Sequence, residues 1–194
     1  MTNASERVII EKPHFELIIK RLAHQLVEEY GQLEDSCIIG LQPRGIYLAE
    51  CLRRILLEDL RIPKIEFGKL DITFYRDDFR RGGKILEAHV TDINFLVEKK
   101  NVILVDDVLY TGRTVQAGLT ALNHYGRPKQ VDLLVLIDRR FVRHLPIEAS
   151  FTGMQIDALD REYVHVEWQE DYQSGEVLLY PSKEVYKMTN SIKE

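Results

Sequence analysis

The 194-residue sequence has no apolar run of about 18 residues, the length a membrane-spanning helix requires. The stretch from Met1 to Glu11 is polar and charged, with no apolar segment followed by small residues, so no secretory signal is visible. Only two cysteines occur, Cys37 and Cys51, too few for a disulfide framework. Cys37 opens an apolar run and Cys51 sits in a helical pattern, so both read as buried reduced thiols and the expected location is cytoplasmic. The histidines His14, His24, His89, His124, His144 and His165 are scattered, without the His-x-x-x-His spacing of a zinc site. No internal repeat, low-complexity segment or Pro/Gly/Ser linker divides the chain, which predicts a single domain over 1–194. Charge of one sign is also lacking. Lys plus Arg number 26 against 31 Asp plus Glu, so the surface as a whole is not built to hold a polyanion, although a local basic patch can be. With 45% hydrophobic and 29% charged residues, the composition is that of an ordinary globular chain.

What is present reads as alternating helices and strands. Phe15, Ile18, Ile19, Leu22, Ala23, Leu26 and Val27 recur at helical spacing, with Pro13 before them and Gly31 after. Cys37 to Leu41 is a short apolar run, and Arg44 to Leu57 reads as the helix that follows. Lys64 to Phe74 alternates as a strand does. Arg76 to Glu87 is charged, glycine-bearing and aperiodic, a loop long enough to act as a lid. Val102 to Val105 is continuously apolar, Thr114 to Tyr125 is helical, and Val131 to Ile137 is apolar again. Strands apolar throughout are buried on both faces, as in parallel sheets. The expectation is an α/β fold with a central, mainly parallel sheet flanked by helices. Ala149 to Thr152, Tyr163 to Trp168 and Val177 to Tyr180 are shorter strand-like pieces. They are expected to form a flanking subdomain and tail (about 141–194) outside the central sheet of the core (about 13–140).

The informative string is Val102-Ile-Leu-Val-Asp-Asp-Val-Leu-Tyr-Thr-Gly-Arg-Thr-Val115. A buried strand ends in two carboxylates, a Thr-Gly turn follows, and a helix begins. Ligands of open α/β sheets bind beyond the carboxyl ends of strands, and a helix N-terminus offers free N–H groups to a phosphate. Gly112 permits close backbone approach, Thr111 and Thr114 add hydroxyls, and Asp106 with Asp107 can accept bonds from a vicinal diol. Together they predict a cradle for a ribose 5-phosphate.

This string resembles the phosphoribosyl-diphosphate (PRPP) signature of type I phosphoribosyltransferases. Gly40-Leu-Gln-Pro-Arg-Gly-Ile-Tyr-Leu-Ala49 resembles the segment carrying that family's pyrophosphate loop. Leu70-Asp-Ile-Thr-Phe-Tyr-Arg-Asp-Asp78 resembles the start of its lid, and Leu136-Ile-Asp-Arg139 with Leu145-Pro-Ile147 the region near its base pocket. The likeness spans roughly Ile18 to Val166 and is greatest to the pyrimidine operon regulatory subfamily, which combines a uracil phosphoribosyltransferase with an RNA-binding attenuator. It departs from that subfamily at Gln42-Pro43, where Lys-Thr is usual, in a shorter lid, and at Met154 to Leu159, where a lysine associated with RNA contact is missing.

The resemblance implies the type I fold with a small hood, and transfer of ribose 5-phosphate from PRPP to a nucleobase with Mg2+. It places the 5-phosphate on Leu109, Tyr110, Thr111, Gly112, Arg113 and Thr114. It gives the ribose hydroxyls and Mg2+ to Asp106 and Asp107, and pyrophosphate to Gln42, Arg44 and Gly45. Tyr75, Arg76 and Asp77 begin the lid. Arg76 is the candidate for neutralising the leaving pyrophosphate, the alternative being a surface ion pair with Asp77 or Asp78. Ile137, Asp138 and Arg139 are expected beside the base. Lys often stands at the Asp138 position in purine enzymes, so the sequence leans toward uracil. Phe151 to Leu159 either closes over the base or packs in the core. Arg139, Arg140, Arg143 and His144 form the densest basic cluster, open to RNA, to PRPP or to solvent alone. Trp168, Tyr172, Tyr180 and Tyr186 read as packing or subunit contacts. The family implies homodimers or higher homo-oligomers. Two alternatives stand beside the uracil enzyme: a nucleotide-sensing RNA-binding regulator and a purine phosphoribosyltransferase.

Overall fold

The computed structural model describes residues 6–76, 88–169 and 174–190. A short strand β1 (Arg7–Ile10) leads into helix α1 (Lys12–Tyr30). Then come β2 (Ser36–Leu41), α2 (Gly45–Arg54), β3 (Glu66–Leu70) and β4 (Asn101–Leu109). Helix α3 (Arg113–Leu122), β5 (Gln130–Arg139) and β6 (Phe151–Ile156) follow. β7 (Tyr163–Trp168), β8 (Gly175–Tyr180) and α4 (Lys183–Asn190) complete the chain.

The central sheet runs β3-β2-β4-β5-β6, and every neighbouring pair is parallel. Its inner strands are apolar throughout because each face meets its own helix layer. Ile38, Ile103, Val105, Leu134 and Leu136 pack toward α1 and α2. Cys37, Ile39, Val102, Leu104 and Val135 pack toward α3. The α1 stripe behaves as its spacing predicts, with Phe15, Ile18, Ile19, Leu22, Ala23 and Leu26 buried, and Gly31 ends the helix by donating to the Val27 carbonyl.

Three expectations are corrected. β6 joins the central sheet beside β5 instead of lying in the flanking subdomain. Its apolar pattern is broken because it is an edge strand, and Gly153 lies tight against both β5 and α1: a Cβ there would lie 2.4 Å from the Leu136 carbonyl and 2.8 Å from the Ile18 side chain. The small second sheet has the order β1-β8-β7 and is antiparallel, so this hood draws on both ends of the chain. The strand expected over Lys64 to Phe74 is shorter and gives way to a 3-10 turn at Thr73–Tyr75.

Candidate functional site

The carboxyl ends of β2, β4 and β5 meet the hood, and two adjoining cavities lie there. The first, of about 420 Å³, is lined by Asp106, Val108, Leu109, Tyr110, Thr111, Gly112, Arg113, Thr114 and Arg76. The second, of about 440 Å³, is lined from the core by Arg44, Asp107 and Arg139 and from the hood side by Asp160, Arg161, Glu162, Tyr163 and Lys183. Arg76, Val108, Tyr110 and Thr114 border both.

Strand alternation explains why neighbouring aspartates serve different cavities. Asp106 faces the α3 side and Asp107 the hood side. Both are buried, at 5% and 6% exposure. The Asp107 carboxylate takes a hydrogen bond from Arg44 Nε at 2.6 Å. An Asp106 oxygen accepts the Asp107 N–H at 2.9 Å. Burial first, and the Asp107 charge second, push the Asp106 carboxyl well above the usual carboxylate range.

The α3 N-terminus and the loop before it line the first cavity. Gly112 has φ +89°, which a side chain resists, and packs against Leu145 and Ile147. The loop before it is pinned from outside. The Thr111 carbonyl accepts from the His144 and Leu145 amides at 3.1 and 3.2 Å. Arg143 binds the Tyr110 carbonyl and the Asp138 carboxylate together. The Tyr110 hydroxyl donates to Asp160 at 2.7 Å, and its ring lies 3.9 Å from the Arg139 guanidinium.

Gly45 opens α2 where a Cβ would stand 2.3 Å from the Val105 carbonyl, so glycine brings this helix against β4 immediately before Asp106. Gln42 is buried; its Nε2 donates to the Val90 carbonyl at 3.3 Å, and its Oε1 has no partner among the described residues. The stems of the loop after β3 are closed by paired backbone bonds between Lys69 and Asp92, both 2.9 Å. Asp71 braces them further, accepting from the Thr73 amide and hydroxyl and from the His89 amide. Asp77 and the rest of the expected lid through Glu87 lie outside the described residues.

The structure thus brings together Arg44, Arg76, Asp106, Asp107, Arg139 and the Leu109–Thr114 segment. It does not bring Ile137 or Tyr75 to the cavities: Ile137 is buried in the core, and the Tyr75 ring lies 5.7 Å from His124. Asp138 is held by Arg143. Phe151 packs beside Tyr30 near the opposite end of the sheet. Sequence reasoning missed Asp160, Arg161, Glu162, Tyr163, His165 and Lys183. They follow the signature by 45 residues or more and carry no local motif that marks them.

Comparison with known proteins bears on the family and the fold. Residues 8–173 match the phosphoribosyl transferase domain family. The chain is 39% identical over 175 residues to a protein named Bifunctional protein PyrR from Bacillus cereus (strain AH820), covering 89% of this chain and 96% of the relative. The relative of the same name from Bacillus mycoides (strain KBAB4) has the same identity and coverage. In fold, the chain is similar to a hypoxanthine phosphoribosyltransferase from Staphylococcus aureus, with TM-score 0.65, 21% identity and coverage of 95% and 97%. It is also similar to the hypoxanthine phosphoribosyl transferase of Trypanosoma cruzi, with TM-score 0.67, 17% identity and 98% of each chain covered. The strand-end aspartate pair, the Thr-Gly turn into α3 and the matched span place the conclusion beyond fold alone: the chain belongs to the phosphoribosyl transferase domain family.

Proposed function

We propose that this chain is a uracil phosphoribosyltransferase that uses PRPP and Mg2+. The observation that carries the reading is the Asp106–Asp107 pair, set between a phosphate-binding helix end and a second cavity large enough for a base. In the reaction, the bond from ribose C1 to pyrophosphate breaks, its electron pair leaving with pyrophosphate, and a bond to a uracil nitrogen forms while that nitrogen's proton passes to the released pyrophosphate or to water. Catalysis is then positioning and electrostatic stabilisation, with no protein nucleophile. Leu109 to Thr114 hold the 5-phosphate, and Arg76 stands where it can offset charge on the leaving group. Gln42, Arg44 and Gly45 shape the pyrophosphate side. The second cavity takes the base, with Arg139 and Tyr110 on its wall.

The donor set suits Mg2+ held mainly through substrate and water. Asp106 is a buried carboxylate whose charge costs stability until a cation or ribose hydroxyls approach. Asp106 and Asp107 are the carboxylates that would face the ion, one from each cavity. When bound, the ion neutralises charge on the diphosphate.

The resemblance to the pyrimidine operon regulatory subfamily supports a pyrimidine, whereas the two solved structures named above are hypoxanthine enzymes. Pyrophosphate release from PRPP with Mg2+, measured separately with uracil, hypoxanthine, guanine, xanthine and orotate, decides between them. Release with uracil is expected. Release with a purine alone overturns the uracil assignment and keeps the transfer chemistry.

A further inference from the structure

Helix α4 lies outside the cradle, yet its contacts run back to a site carboxylate without a break. The Tyr186 ring sits 4.5 Å from the His165 ring, 4.8 Å from Tyr163 and 5.2 Å from Tyr180. His165 Nδ1 is 3.2 Å from Arg44 Nη1. Arg44 donates also to the Val166 carbonyl at 2.9 Å and to Asp107 at 2.6 Å. A guanidinium has donors only, so His165 must present an unprotonated Nδ1 and accept. Burial, followed by the Arg44 charge, favours that neutral imidazole, pushing His165 down to about 4. Every branch of the Arg44 fork is therefore specified, two of them by the hood strand β7 and one by Asp107. His165 holds the third branch of the fork, and the Tyr186 ring of α4 packs on the His165 ring. Lys183, from the first turn of the same helix, also lines the second cavity.

We propose that His165 and Tyr186 are positioning residues for PRPP binding: α4 fixes the His165 ring, which orients Arg44 against Asp107. The proposal rests on the phosphoribosyl-transfer reading of the site.

The test is steady-state pyrophosphate release by the full chain, with KM for PRPP and kcat determined separately. His165→Leu removes the acceptor from a charged donor, and KM for PRPP should rise about tenfold with kcat changed much less. His165→Asn, whose Oδ1 falls near the lost Nδ1, should recover most of that loss. His165→Gln, whose oxygen falls near Nε2, should not. Tyr186→Ala should raise KM about threefold, and the His165→Leu/Tyr186→Ala double variant should be no worse than His165→Leu alone, because both act through one route. Unchanged KM in folded His165→Gln and Tyr186→Ala variants, or effects that multiply in the double variant, would overturn the inference. If the unmodified chain releases no pyrophosphate with any base, the uracil reading fails separately. The same variants are then titrated with PRPP and Mg2+ by calorimetry, where an unchanged Kd for His165→Gln sinks the inference and a weakened one sustains it.

Discussion

Asp106 and Asp107 are chemically identical neighbours with opposite surroundings, and that difference can be measured. Asp107 faces a guanidinium, whereas Asp106 is buried with its charge opposed by Asp107. Asp106→Asn keeps the shape and removes an unfavourable buried charge. It should raise Tm by roughly 2–4 °C, about 1 kcal/mol for a chain of this size, while abolishing PRPP-dependent turnover. Asp107→Asn strips Arg44 of its counterion and should lower Tm while also abolishing turnover. Calorimetric melts beside the pyrophosphate assay separate the two. His165 gives a pH signature of its own. Its folded pKa, about 4, lies below the ordinary 6.5, so the unfolded chain binds the proton more readily between those values. Its contribution is therefore present above pH 6.5 and is lost as pH falls toward 4. The size is about 1–2 kcal/mol once partial solvent exposure is discounted. Urea midpoints across that range should fall more steeply for the unmodified chain than for His165→Leu. The aspartates were legible in the sequence because strand, turn and helix lie within one string. His165 was not, because its partner Arg44 is 121 positions away and nothing near His165 announces the contact.

At the scale of elements, glycines decide how closely helices approach the sheet. Gly45 has no room for a Cβ beside the Val105 carbonyl, and backbone cannot yield as a side chain tip does. Gly45→Ala should cost about 3 kcal/mol and displace α2, taking Arg44 with it, so PRPP affinity falls as well. Gly31→Ala is the contrast. It meets open space, but at φ +60° and ψ −121° it lies outside the left-handed helical region and should cost about 1–3 kcal/mol of backbone strain, with PRPP affinity unchanged. Denaturation midpoints and PRPP titrations of both variants check the pair. The same reasoning shows where periodicity read the fold and where it failed. β2, β4 and β5 declare themselves because two helix layers bury both of their faces. β6 does not, because among the described residues only β5 pairs with it and Gly153 stands where β5 and α1 leave no room for a Cβ. β1 and β8 pair across nearly the whole chain length, a distance that local pattern does not encode.

Over the whole molecule, net charge and local charge give different answers about RNA. The formal balance is −5, so any attraction to a polyanion must come from a patch. The densest basic cluster in the sequence is largely committed to internal bonds. Arg139 lies over Tyr110 and donates to the Leu159 carbonyl at 2.9 Å. Arg140 pairs with Asp157, and Arg143 holds Asp138 and the Tyr110 carbonyl. Met154, which stands in a stretch associated with RNA contact in the subfamily, packs against the core from β6 instead of projecting a cation. Freeing Arg139 or Arg143 for phosphate would loosen the loop that carries Thr111 and Gly112, so RNA contact there would compete with the cradle. Arg140, half-exposed in a surface pair with Asp157, is the cluster's one residue whose bond is cheaply exchanged for a phosphate. The salt dependence of binding to a single-stranded RNA should therefore reflect about one phosphate contact, roughly a threefold loss between ~50 and ~200 mM salt. Arg140→Ala should flatten it. A slope several times steeper, unmoved by Arg140→Ala, would mean that RNA is held by cations elsewhere on the surface, and that the cluster serves the cradle alone.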